Sequence, residues 1–97
     1  MKYFINGQKF DTEKAQKIYS DGQFSNTGED YYKTKGGKYI VVEWSRWQGS
    51  SDTVTVLSED QFVKAMKESW HEERALEALK LAGFTEQQIN ELIPDFA

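Results

Sequence analysis

Arg46, Trp47 and Gln48 are the side chains in this 97-residue chain whose types and spacing best suit recognition chemistry. They lie in Trp44-Ser45-Arg46-Trp47-Gln48-Gly49-Ser50-Ser51, which reads as the end of a β-strand passing into a polar turn, and Arg46 is the only arginine of the N-terminal half. Trp and Arg are the types most enriched at binding hot spots, and loops at strand ends are common places for function. An indole face, a guanidinium that stacks on such faces and a side-chain amide can together hold a partner. Exposed, the three would form a contact cluster that Tyr39 could extend. Trp44 shares strand parity with Ile40 and Val42 and is expected in the core, whereas Trp47 has the opposite parity.

Bond-making chemistry finds less support. His71, the single histidine, stands beside Glu72 and Glu73 in an acidic stretch. Adjacent helical carboxylates point about 100° apart, so these two do not chelate a metal with it. Glu29, Asp30, Glu43 and Asp52 could supply paired carboxylates for acid–base work. They fall on loops or strand faces with no reason to be buried. No serine sits in a nucleophile-elbow context, and Gly36-Gly37 lacks the strand–loop–helix setting of a phosphate loop. The expectation is a protein without catalytic residues, metal or cofactor, and not an enzyme. Nucleic-acid binding is the alternative: Lys33, Lys35, Lys38 and Arg46 flank Tyr31, Tyr32 and Tyr39, and such mixtures on a sheet can stack bases. Against it stand a pI near 5.0 and the absence of an RNP or helix-turn-helix signature.

The elements that must position these residues are legible in part. Asn6-Gly7 is a strong two-residue hairpin signal between Tyr3-Phe4-Ile5 and Gln8-Lys9-Phe10. Asp11 reads as the N-cap of a short helix carrying Ala15, Ile18 and Tyr19 on one face and ending near Asp21-Gly22. Residues 21–30 read as a surface loop. A three-stranded meander follows: residues 31–35, a turn at Gly36-Gly37, residues 38–46, and residues 53–57. Along the second strand Ile40, Val42 and Trp44 form the expected core face, with Tyr39, Val41, Glu43 and Ser45 on the other.

Ser58-Glu59-Asp60-Gln61 and Thr85-Glu86-Gln87-Gln88 are capping boxes, each with staple residues, Leu57/Phe62 and Phe84/Ile89. Between them the apolar phase slips by roughly 100° near residues 71–74, so residues 59–82 form either one bent helix or two. Gly83 stops that run, and a last helix spans residues 86–93 before Pro94. The fold class expected is α+β: a short N-terminal hairpin and helix, a three-stranded antiparallel meander, and two or three C-terminal helices packed on the sheet. Residues 1–97 read as a single domain, with a mixed part (1–57) and an acidic helical part (58–97).

The chain has no cysteine, so disulfides and thiolate metal sites are excluded, and no apolar run suits a signal peptide or membrane span. These features suit a cytoplasmic domain. The net charge of −4 is unevenly placed: residues 1–57 carry eight Lys/Arg against seven Asp/Glu, residues 58–97 four against nine. The acidic third is either a solvated helical surface or a face that meets a basic groove.

Phe4-Ile5-Asn6-Gly7-x-x-Phe10-Asp11-Thr12, Tyr32-Lys33-Thr34-Lys35-x-Gly37-x-Tyr39 and Leu57-Ser58-Glu59-Asp60 resemble a loose family of small, mostly uncharacterised proteins of phages, plasmids and conjugative elements of Gram-positive bacteria. Where that pattern often has a glycine-rich stretch, this chain has Trp44-Ser45-Arg46-Trp47. The resemblance implies a mobile-element neighbourhood that includes anti-CRISPR inhibitors of host defence, hence the host bacterium's cytoplasm. It also implies a host protein partner such as a CRISPR effector nuclease. Joined to the residue reading, the expectation is a protein-binding module anchored by Arg46, Trp47 and Gln48. Glu68, Glu72, Glu73 and Glu77 would complement a basic groove on the partner.

Overall fold

The computed structural model describes residues 1–22, 26–46, 52–69 and 72–94. Its strands are β1 (Lys2–Ile5), β2 (Gln8–Asp11), β3 (Gln16–Asp21), β4 (Thr27–Lys33), β5 (Tyr39–Ser45) and β6 (Thr53–Leu57). Its helices are α1 (Glu59–Lys67), α2 (Glu72–Leu81) and α3 (Glu86–Leu92). β1 and β2 form a two-stranded sheet; β3 to β6 form a four-stranded antiparallel sheet in sequence order. The architecture is α+β, with the helices C-terminal.

Asn6 and Gly7 both adopt positive φ, 51° and 78°, the backbone a tight hairpin demands. Beyond it the helix expected after Asp11 is absent, and the meander gains a fourth strand, β3. Two local effects account for the difference. The Asp11 carboxylate accepts from the Glu13 N–H at 3.0 Å, and the Asp11 carbonyl from the Lys14 N–H at 3.0 Å. That is helix-cap chemistry confined to one turn. The β3–β4 register then shifts between Lys17 and Tyr19, and Ile18 and Tyr19 both join the helix-side core. A bulge that turns two neighbouring side chains inward reproduces, with Ala15, the apolar spacing of a helix. The loop expected over residues 21–30 is likewise shorter, since Asp21 ends β3 and Thr27 to Asp30 begin β4.

The sheet is buried on both faces, where alternation in β5 predicts one. Tyr39 and Val41 meet Phe62, Val63, Met66, Ala78, Leu79 and Ile89 beneath the helices. Ile40 and Val42 meet Phe10 and Tyr32 beneath the hairpin, with Tyr3, Ile5 and Val54 at the margin. Trp44 has the parity of the second set but lies beyond the hairpin's cover and is only half-buried. Phe62 and Leu79 are fully enclosed, and the Phe62 ring stacks on Tyr39 at 4.4 Å and 9°.

Both capping boxes form as the sequence predicts. Ser58 Oγ accepts from the Gln61 N–H while Gln61 Oε1 accepts from the Ser58 N–H, and Thr85 and Gln88 repeat the exchange. Where the apolar phase slips, two helices stand, α1 capped at Glu68 and α2 beginning at Glu72. Gly83 (φ 105°) ends α2, with the Gly83 N–H on the Lys80 carbonyl and the Phe84 N–H on that of Leu79. This is a Schellman closure. No helix among the described residues is long and apolar enough to cross a membrane.

Candidate functional site

The antiparallel register brings the C-terminal ends of β3 and β5 and the N-terminal ends of β4 and β6 to one end of the sheet. Across that end Asp21 pairs with Glu29, Glu29 with Glu43, and Glu43 with Thr53. Cross-strand partners share a face, so three carboxylates stand in a row on adjacent strands. Like charges directly opposite one another on a sheet are destabilising.

The charge of the row is only partly relieved. The Tyr31 hydroxyl donates to Glu29 Oε2 at 2.6 Å, and the Gly22 N–H donates to Asp21 Oδ1 at 2.8 Å. Burial, then the Glu29 hydrogen bond and charge, pushes the Tyr31 phenol pKa well up. Glu68, at the end of α1, lines a shallow groove of about 310 Å³ with Asp21, Glu29 and Tyr31. The Tyr19 hydroxyl and Ser69 Oγ, 2.5 Å apart, fasten the end of α1 to β3. Arg74 fastens α2: its Nη2 donates to the Ser20 carbonyl and its guanidinium lies 5.4 Å from the centroid of the Tyr19 ring. The first turn of α2, with Glu72 and Glu73 exposed, therefore lies at the same end as the carboxylate row. Glu77, one turn on, lines a second hollow with Lys17, Ser20 and Arg74.

Arg46 belongs to this end too. It is exposed immediately after β5, its N–H donates to the Asn26 carbonyl at 2.7 Å, and its guanidinium sits 5.3 Å from the centroid of the Trp44 ring. Trp47 and Gln48, the other two residues of the expected anchor, lie outside the described residues, as do Trp70 and His71. Tyr39 takes no part: it is 6% exposed and stacked on Phe62. The structure thus gathers Arg46, Glu68, Glu72 and Glu73 at one end and adds Asp21, Glu29 and Glu43. Glu29 and Glu43 are visible in the sequence as acidic residues, but their alignment depends on β4 beginning at Thr27, within the stretch that reads as a loop. Asp21 joins them only through β3, whose bulge disguises it as a helix.

Of the carboxylates weighed for acid–base chemistry, Glu29 and Glu43 are cross-strand partners in the row, whereas Asp30 and Asp52 are engaged elsewhere. Asp30 faces the hairpin side, where Oδ1 accepts from Ser20 Oγ at 2.6 Å and from Trp44 Nε1 at 3.3 Å, and Oδ2 lies 3.7 Å from Lys17 Nζ. Asp52 accepts from the Tyr3 hydroxyl at 2.9 Å. Among the described residues no three His, Cys, Asp or Glu are placed to hold a metal ion. The tyrosines of the nucleic-acid alternative are internal, since Tyr31, Tyr32 and Tyr39 are all buried. Lys33 is committed as well, donating to the Ala82 carbonyl with its ammonium 5.6 Å from the centroid of the Tyr39 ring.

No family model, curated protein or solved structure matches the chain.

Proposed function

We propose that this protein is a non-enzymatic protein-binding module of a phage or other mobile element. In this reading it acts in the cytoplasm of the host bacterium and inhibits a defence nuclease of the CRISPR-effector type. The observation that carries the reading is the Asp21–Glu29–Glu43 row of like charges on adjacent strands, continued by Glu68, Glu72 and Glu73. A nuclease holds nucleic acid in a basic groove, and a rigid array of carboxylates competes for it with the same sign of charge as phosphate. Arg46, at the same end, and Trp47 and Gln48, which follow it in the sequence, supply the non-electrostatic part of the contact. The mobile-element assignment rests on the motif resemblance.

The test separates binding from folding. The Glu29→Gln/Glu43→Gln variant keeps the acceptor for the Tyr31 hydroxyl and removes like-charge repulsion. It should unfold at the same or higher urea concentration than the parent while losing inhibition of DNA cleavage by purified effector nucleases. Full inhibition by that variant would remove the acidic end from the mechanism. Absence of binding to any effector in a panel from Gram-positive hosts would remove the target class.

A further inference from the structure

The end of the molecule away from the carboxylates carries a different chemistry. A groove of about 540 Å³ runs between the hairpin with the turn after it and the β4–β5 turn. Lys2, Lys9, Lys14 and Lys35 line it, against one carboxylate, Asp11, whose Oδ1 already accepts from the Glu13 N–H. The ion pair found among the described residues joins Lys17 to Asp30; none of these four ammoniums lies within 4 Å of a described carboxylate, and the nearest in register is Lys2, opposite Asp11. Phe4 is directly opposite Lys9 in the β1–β2 register and is 80% exposed, while Phe10 behind it is buried. An aromatic left in solvent among ammonium groups contributes little to folding. It is a platform on which a flat ring can stack while anionic groups reach the lysines.

We propose that this groove binds single-stranded nucleic acid, its phosphates on Lys2, Lys9, Lys14 and Lys35 and a base on Phe4. The volume lies in the range that takes a ligand of nucleotide size. Lysines along a groove beside an exposed aromatic are the arrangement by which single strands are held without sequence preference. An acidic peptide would satisfy the lysines but leave Phe4 without a stacking partner, and a duplex keeps its bases stacked on one another. The site shares no residue with the carboxylate end, so it stands or falls independently of the inhibitor reading.

The test is fluorescence anisotropy of the full chain with labelled oligothymidylate and oligouridylate of roughly 12 nucleotides, at about 50 and 200 mM salt. Four engaged lysines give a salt slope near −2.8 at about −0.7 each, or roughly 50-fold weaker binding over that interval. Lys9→Ala/Lys35→Ala should halve the slope, to roughly a sevenfold loss. Phe4→Ser should keep the slope and weaken binding by about fivefold or more, since base–aromatic stacking is worth roughly 1–3 kcal/mol. All three positions are exposed, and circular dichroism checks that the variants fold. No binding at the lower salt overturns the proposal, as does undiminished affinity of Phe4→Ser. So does equal competition by duplex DNA, by polyglutamate or by a mononucleotide.

Discussion

Gly28 shows how one missing side chain positions several others. It lies opposite Trp44 in the β4–β5 register, and a methyl there would overlap both the Asp21 carbonyl and the Trp44 ring. The indole can therefore lie flat on the strand, point Nε1 at Asp30 and offer a face to Arg46. Gly28→Ala should destabilise the protein by about 1–3 kcal/mol, the usual cost of overpacking, read as a lower urea midpoint. It should also move Arg46, so a variant that keeps full stability would show that the indole has room to shift. In the sequence Gly28 reads as a turn former, because Asn26, Thr27, Glu29 and Asp30 around it are all polar. Glycine within a strand marks close approach of another group, but that meaning appears only once the partner is known. Tyr39 fails for a related reason: its aromatic and polar character suits a contact surface, and nothing local announces the Phe62 ring stacked over it.

At the scale of elements, devices closed within four residues were legible and those made across strands were not. The two capping boxes, the Asn6-Gly7 hairpin and the Gly83 stop each depend on hydrogen bonds or dihedral angles within a few residues of one another. β3 depends on its partner, and the bulge at Ile18 hid it. Replacing either cap residue tests how far the boxes carry their helices. Ser58→Ala should cost about 1 kcal/mol of global stability, because α1 supplies Phe62, Val63 and Met66 to the core. Thr85→Ala should cost a similar amount locally but act mainly on α3, which buries only Ile89. Amide exchange distinguishes the two. Protection should fall throughout the sheet and α1 in the first variant and chiefly over residues 86–92 in the second. Uniform loss in both would make α3 part of the same cooperative unit.

At the scale of the whole molecule, charge and burial are organised by the sheet rather than by position in the chain. Counting charges along the chain assigns the acidity to the helical residues 58–97, yet the acidic end also draws Asp21, Glu29 and Glu43 from three strands. The two cores are likewise shared by β4 and β5, which send Tyr31, Tyr39 and Val41 to one and Tyr32, Ile40 and Val42 to the other. Alternation in the sequence marks only the face of β5 with Ile40 and Val42 as core. Phenols line both cores, and this couples folding to alkaline pH. Burial, then the hydrogen bond to Asp52 and its charge, pushes the Tyr3 pKa from 10.0 up to about 12. Burial likewise raises Tyr31, helped by Glu29, Tyr32, helped by Asp30, and Tyr39, helped by Glu59. In each case the fold favours the protonated phenol, so the unfolded chain loses these protons first as pH rises. The stabilisation is therefore complete below a pH of about 10 and is lost as pH climbs through the folded-state values, around 12 for Tyr3. Urea midpoints should be level between pH 8 and 9.5 and fall steeply by about pH 11, with absorbance at 295 nm showing a delayed phenolate signal that appears together with unfolding. Tyr3→Phe removes one of the titrating groups and should make the alkaline loss shallower while lowering neutral stability through the bond to Asp52. Phenols that ionise near 10 with no loss of stability would mean that the two cores admit water.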